Sequence, residues 1–369
     1  MARTRSQYRL ISQIPTNAGR VVHLAESASG QRVLLKQAQT AEWAADLARQ
    51  ARHLRVMAGL LGPGSPYPPV LDAAPCRLVL PFYEHGSLDD LTAHAGPAAV
   101  QALLADALSH LMKASATRPR GASPPPPDVS RAFLASAAQA RLDRLDQALA
   151  TPDGRLWAEC ARPGGPAFGA VIGEHTAWLR DPAVLDGITR ISPARLPLAG
   201  HGDFALGNIL LTGRPGPAAG LVFIDVNGQW HQGYPWWDPV ADLAILIAYS
   251  CQVCPALARA GELPPGAALA SARPAPADVT RLAAADPGFA AWAQRDRRWR
   301  ARLEIAVAIR LLGNISVQLV TAPANPGLRA AIVLGLYASQ VQRISPLISQ
   351  LRSGATPGKK GHLEWATAS

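Results

Sequence analysis

Residues 201–211 read HGDFALGNILL, and after a turn-rich interval residues 221–228 read LVFIDVNG. An Asp and an Asn five apart sit on a tight loop that runs into a short apolar strand, and a second Asp ends the next strand. Asp203, Asn208 and Asp225 can therefore bring three oxygen-bearing groups to one point. Phosphoryl transfer asks for such a set. Its transition state is loose, so the protein mainly positions the nucleophile and neutralises charge, with one carboxylate taking the acceptor proton and hard oxygens holding magnesium. Asp203 suits the first role; Asn208 and Asp225 suit the second.

Upstream of this stretch, short β-branched or apolar runs at residues 9–14, 21–27 and 32–37 read as strands separated by turn-like TNAG and ASG. From Thr40 the period turns helical, with Leu47, Ala51, Leu54, Ala58 and Leu61 on one face. GPGSPYPP stops that helix, and RLVLPF (residues 77–82) reads as a further strand. Beyond EHGSLDD the chain reads as mostly helical. Helices are expected over residues 91–115 and 130–150 around the proline-rich RPRGASPPPPD, and a long helical region should run to about Leu351, broken over residues 255–277.

The 49% hydrophobic content of the 369 residues is that of a globular chain. No apolar run of signal-peptide length follows the basic N-terminus, and no stretch approaches the roughly 18 apolar residues of a membrane helix, so a cytoplasmic protein without a membrane partner is expected. The net charge of +10 comes from arginines spread through Ala/Pro/Gly-rich sequence, which does not make a nucleic-acid surface. Lysine is scarce, so Lys36 inside the apolar strand RVLLKQA is conspicuous. Cys251 and Cys254 form a CxxC pair without further ligands and read as packed thiols.

The loop H-G-D-x-x-x-x-N, the strand-borne Asp225 and D-x-x-x-D-L-A (DPVADLA, residues 238–244) together resemble the aminoglycoside phosphotransferase and choline kinase-like family. The resemblance covers most of the chain. It implies an α+β, two-lobed protein-kinase-like fold: a small N-terminal β-sheet lobe with one helix over residues 1–84, a larger mostly helical lobe for catalysis and substrate over 85–353, and a mobile tail over 354–369. The cofactors it implies are ATP and Mg²⁺. Lys36 would hold the α- and β-phosphates, backbone groups of Phe82, Tyr83 and Glu84 would hydrogen-bond adenine, and the loop PTNAGR with Gly19 would cover the phosphates. Asp242 would brace the catalytic loop, with His201 a structural imidazole behind it.

One departure stands out. In RQARHLR, Gln50 occupies the place of the glutamate that pairs with the strand lysine in that family, and Asp46 one turn earlier shares its helix face. Two further features bear on the acceptor, a small hydroxylated metabolite, antibiotic or sugar. QWHQGYPWWDP gathers Trp230, Tyr234, Trp236 and Trp237, either as a stacking wall or as packing. RDRRWRAR (residues 295–302) is strongly basic, which is either a solvated helix face or a sign that the acceptor is neutral or anionic rather than polycationic.

Other readings compete with a small-molecule kinase. A protein Ser/Thr kinase would carry HRD, a lysine two residues after the Asp, and DFG, where this chain has Gly202, Ala205 and DVN. A dinuclear phosphoesterase needs several more His and Asp ligands than follow Asn208. A non-catalytic nucleotide-binding scaffold is motivated by Gln50 alone. Oligomeric state is left open.

Overall fold

Alternation along Arg32–Ala38 fixes the N-terminal sheet: Val33 and Leu35 point to one face and Leu34 and Lys36 to the other. The computed structural model describes residues 8–14, 20–118, 121–161, 165–198, 200–214, 219–263, 273–322 and 324–355. Strands β1 (Tyr8–Ile14), β2 (Arg20–Ser27), β3 (Arg32–Ala38), β4 (Asp72–Ala74) and β5 (Arg77–Pro81) form an antiparallel sheet in the order β1-β2-β3-β5-β4. Lys36 sits opposite Val22 on β2 and Leu78 on β5. Ala25, Val33, Leu35 and Val79 pack on the outer face. The inner face meets helix α1 (Ala41–Leu61), whose buried stripe includes Leu47, Gln50, Ala51, Leu54 and Met57. Thr40 caps its start by accepting from the Trp43 amide, and Gly62 at φ 69° ends it. Strand β4, three residues long, carries too little periodicity to be read from sequence.

The rest is mostly helical. After α2 (Leu88–Leu91), Gly96 and Pro97 interrupt the expected 91–115 helix, and α3 spans Pro97–Ala116 with Pro97 in the first turn, where a missing N–H costs nothing. Helix α4 (Pro127–Ala150) likewise begins on the last proline of the run rather than after it. Helices α5 (Pro152–Glu159), α6 (Phe168–Thr176) and α7 (Pro182–Ile191) follow. Next come β6 (Ile209–Leu211) and β7 (Leu221–Phe223), which pair antiparallel, and the hairpin β8 (Gln229–His231) and β9 (Tyr234–Trp236). Gln232 and Gly233, both at positive φ, make its two-residue turn.

Helix α8 (Pro239–Ile245) leads into a π-helical segment, Leu246–Val253, and then α9 (Cys254–Arg259). Pro255 therefore stands in the first turn of a helix, so the expected break over 255–277 begins only after Arg259; the described residues 260–263 and 273–275 are non-helical, and residues 264–272 lie outside the described ones. Helices α10 (Pro276–Ala285), α11 (Pro287–Arg295), α12 (Trp299–Thr321) and α13 (Pro326–Arg352) complete the lobe.

Helix α12 is the hub, packing on α4, α8 and α13 with Leu303, Ile305, Val307, Leu311 and Ile315 buried. Two stretches, Pro239–Arg259 and Trp299–Thr321, are apolar and long enough to span a membrane by length and composition. This corrects the expectation that no such stretch exists, but 78% and 72% of their apolar windows is buried in protein, as in core helices. All four cysteines are free thiols, and burial pushes Cys254 up to about 11 and Cys251 higher still, the opposite of a reactive pair.

Candidate active site

Between the sheet and the helical part, the 201–211 loop is held from behind by α8. Asp242, fully buried, accepts from the Gly202 amide at 2.8 Å and the His201 amide at 3.3 Å. Gly202 is at φ 82°, and a Cβ there would lie 2.1 Å from the Asn227 carbonyl oxygen, so only glycine fits. The Asn227 amide in turn donates to the His201 carbonyl at 2.6 Å, tying this loop to the one after β7. His201 is buried and its Nδ1 accepts from the Asp203 amide at 3.2 Å; burial pushes the imidazole down to about 4 and keeps it neutral.

Asp203 projects into the cleft. Asn208 donates through Nδ2 to its carbonyl at 2.9 Å and to its carboxylate at 3.2 Å. The protein packed around the cleft pushes the Asp203 carboxyl above its ordinary range, Arg310 opposes this, and Asp225 adds to it. The side chain itself is open to water, which moderates the push from burial. A short helical turn, Leu206–Asn208, sets the five-residue spacing, and the Leu206 amide donates to Ser250 Oγ at 3.1 Å from the π-helical segment.

Asp225 lies just beyond β7 with φ 55°, a left-handed conformation uncommon for a non-glycine residue and typical of functional sites. Its Oδ1 is 2.5 Å from Lys36 Nζ. Lys36 also donates to Gln50 Oε1 at 3.4 Å, and Gln50 Nε2 donates to Asp46 Oδ2 at 2.9 Å. Neither candidate partner acts alone: the amide of Gln50 relays between the lysine and the carboxylate of Asp46.

At the lobe connection, the Phe82 amide approaches the Arg32 carbonyl at 3.4 Å and Glu84 pairs with Arg32 at 3.0 Å, while Tyr83 is half-buried and its phenol is pushed up by burial. Gly19 lies outside the described residues, as does nearly all of the tail over 354–369.

Several contacts that matter here were not found by sequence reading. Asp238 caps α8 and is buried against Arg302, whose Nε lies 2.9 Å from Asp238 Oδ2 and whose Nη2 lies 2.5 Å from Asp296 Oδ2. Arg302 belongs to the basic run RDRRWRAR, so that run is neither simply solvated nor a substrate wall. Arg298 donates to the Arg190 carbonyl, and Arg300 stacks on Trp299. Trp236 of the aromatic cluster packs inside and donates to the His231 carbonyl, and Trp230 lies under Arg52. Trp237 lines a cavity with Gly228 and Ala241 and packs edge-on against Phe133.

No cluster of three or more His, Cys, Asp or Glu side chains that could hold a metal occurs among the described residues. The oxygens that are present nevertheless suit magnesium, which is bound by one or two carboxylates together with substrate phosphates. Because Asn208 spends its amide nitrogen on Asp203, its amide oxygen is left as a hard donor.

The family model of the phosphotransferase enzyme family (APH) matches residues 11–274. Solved structures show remote likeness. An ethanolamine kinase from Plasmodium vivax is 11% identical with TM-score 0.48, covering 92% of this chain and 86% of its own. A choline kinase from Cryptosporidium parvum is 12% identical with TM-score 0.44, covering 94% and 93%. A glucosamine kinase is 14% identical with TM-score 0.48, covering 91% and 94%. No curated protein matches.

Proposed function

The chain belongs to the phosphotransferase enzyme family, and from that premise we propose that it transfers the γ-phosphate of ATP to a hydroxyl of a small molecule, with Asp203 as the base. One observation carries the reading. A carboxylate open to the cleft, an amide beside it and a second carboxylate paired with a buried strand lysine converge between the two lobes. Magnesium held by Asn208 and Asp225 would neutralise charge on the phosphates.

The chain's own groups do the rest. Lys36 has three N–H donors, and with two directed to Asp225 and Gln50, the latter held by Asp46, the third is left for a phosphate oxygen. Asp203 orients the acceptor hydroxyl and takes its proton as the new ester bond forms. Asp242 holds the loop through two backbone amides, acting by position and not by touching substrate. The backbone of Phe82 to Glu84 is the proposed adenine contact, and residues 1–84 and 85–353 the proposed nucleotide and acceptor lobes. Free thiols agree with a cytoplasmic setting.

A protein kinase is the less favoured alternative. Arginine at Gly202, which would read an activation-loop phosphate in such an enzyme, cannot fit against Asn227. The test is ADP release by purified chain with ATP and Mg²⁺ across hydroxylated small molecules and Ser/Thr peptides, with mass spectrometry of the products. Phosphorylated small molecules that vanish with Asp203→Asn support the reading. Turnover of peptides alone, or full turnover by Asp203→Asn, overturns it.

A further inference from the structure

Beside the catalytic loop, a cavity of about 300 Å³ opens between α4, α8 and α12, with Gly228 and Gln229 at its mouth and Arg141, Arg144 and Arg310 in its walls. It adjoins the catalytic groups at two points: Gly228 follows Asp225 by three residues, and Ala241 precedes Asp242. Arg310 and Arg141 both act electrostatically on Asp203, so the guanidinium groups lie within reach of the reacting end of the cleft. Phe133, Ile309 and Trp237 supply an apolar side.

The charge of this cavity is one-sided. No Asp or Glu lines it among the described residues. Arg310 is drawn to Asp203 and the buried Asp242, and Arg141 to Asp203 alone, while neither Arg141 nor Arg144 makes an ion pair or side-chain hydrogen bond among the described residues. Arg141 is instead crowded by like charges; burial first, then Arg310 and Arg144, pushes its guanidinium down to about 10. Three guanidiniums line this cavity, Arg144 open to solvent and neither it nor Arg141 held in an ion pair among the described residues, which makes a positive wall of the kind that suits an anion. Trp237 adds a second unmet demand, since its indole N–H is buried with no hydrogen-bond partner, and Arg310 lies 5.8 Å from its ring centroid. Gly313 on α12 makes room for this arrangement: a Cβ there would stand 2.6 Å from Arg141 Cδ.

We propose that the phosphate acceptor is a small hydroxylated anion whose carboxylate or phosphate is held by Arg141 and Arg144, with its body against Trp237 and its hydroxyl at Asp203. This rests on the kinase reading above. In the step, the acceptor oxygen forms a bond to the γ-phosphorus, the bond from that phosphorus to the bridging oxygen of ADP breaks, ADP leaves, and the hydroxyl proton passes to Asp203. A polycation would meet the same arginines as repulsion. A volume near 300 Å³ suits an acceptor no larger than a monosaccharide derivative.

Matched sets decide the matter: glycerol, glycerate and glycerol phosphate; glucose, gluconate and glucose phosphate; ethanolamine and an aminoglycoside as cations. ADP release is measured for each with wild type, Arg141→Gln, Arg144→Gln and Gly313→Ala. The expected result is a kcat/KM at least about tenfold higher for an anion than for its neutral parent. The two Arg variants should raise the KM for that anion by about tenfold or more with a smaller change in kcat, as loss of a charge-assisted contact does. Gly313→Ala, which displaces Arg141 without removing charge, should move the same KM in the same direction. Carboxylate and phosphate arms separate the two sources of charge. A neutral or cationic acceptor preferred over every anion overturns this proposal and leaves the kinase reading standing. Absence of turnover with all of them counts against the kinase reading, and calorimetric titration with gluconate and glucose phosphate then decides the cavity. Binding weakened by Arg141→Gln upholds it; binding that is absent or unchanged by Arg141→Gln overturns it.

Discussion

Replacing Gln50 by the glutamate that the family pattern leads one to expect should make this site worse. Gln50 serves two unlike partners, accepting from Lys36 at 3.4 Å and donating to Asp46 at 2.9 Å. A carboxylate has acceptors only, so Gln50→Glu keeps the lysine contact and turns the Asp46 contact into one between like charges. At an effective dielectric near 20, attraction at the first distance is about 5 kcal/mol and repulsion at the second about 6 kcal/mol, so the two nearly cancel. Burial then decides. Gln50 is 5% exposed, and taking a new carboxylate out of water at such a position costs several kcal/mol. The new group must bind a proton or push α1 off the sheet, and either disturbs Lys36. The expected outcome is roughly tenfold or greater loss of affinity for a fluorescent ATP analogue, about 1.4 kcal/mol or more. Asp46→Ala added to Gln50→Glu removes the repulsion, so the double variant should bind the analogue more tightly than Gln50→Glu alone, with a coupling of about 1–3 kcal/mol. Titrations on all four proteins complete the cycle. Wild-type affinity in Gln50→Glu, with additive effects in the double variant, would refute the relay.

Further outcomes are expected elsewhere. Asp203→Asn should lower kcat by roughly 10²–10⁴-fold while the ATP analogue binds within about twofold of wild type, measured on the same preparation. Arg302→Met leaves the buried Asp238 uncompensated and should cost about 3–5 kcal/mol in urea unfolding; Asp238→Asn in the same chain, which keeps a cap for α8, should restore a measurable part of it, and equal instability of single and double variants would argue that the loss is packing alone. Burial of His201, pushed down to about 4, makes stability rise with pH between about 4 and 6.5, where only the unfolded imidazole is protonated. Burial of Asp242, pushed up to about 7, makes stability fall with pH between about 4 and 7, where only the folded carboxyl keeps its proton. The two slopes, each about 1.4 kcal/mol per pH unit, oppose one another, so urea midpoints of Asp242→Asn should rise across that window and those of His201→Gln should fall; parallel profiles for both variants would disprove the pairing.

The fold was legible where the chain obeys one period at a time. The strands around Lys36 alternate, α1 carries a clean helical stripe, and HGDFALGN announces its own loop. Proline misled at helix starts: Pro97, Pro127 and Pro255 all stand in first turns, where the missing N–H is no loss. Asp238 was visible in DPVADLA but its partner was not, because Arg302 lies 64 residues downstream in a run whose charge density suggests a solvated face. Only packing against α8 shows that one of those arginines is buried. Arg141, Arg144 and Arg310 were hidden for the same reason: Arg141 and Arg144 are spaced along α4, Arg310 sits mid-way along α12, and no local motif joins helices that meet only in three dimensions.

The two departures from an ordinary kinase site, a neutral Gln50 and a surplus of arginine, are consistent with one electrostatic requirement. An enzyme that joins an anionic acceptor to ATP brings two anions together, and their mutual repulsion rises as the reacting atoms approach. Charge at the nucleotide end is balanced locally: Lys36 faces Asp225 directly and Asp46 only through an amide, so its ammonium stays the dominant charge toward the phosphates. A glutamate at position 50 would offset that ammonium. At the other end, Arg310 is shared between Asp203 and Asp242, so the base proposed at Asp203 would not be silenced by a dedicated partner. On the proposal above, Arg141 and Arg144, neither held in an ion pair among the described residues, are the charges that would answer the acceptor's own anion. Neutralising either arginine would weaken the acceptor's hold without touching Lys36, whereas charging Gln50 would weaken the nucleotide's hold without touching the cavity. The two ends of the site are therefore separable by mutation, because each balances its own charge.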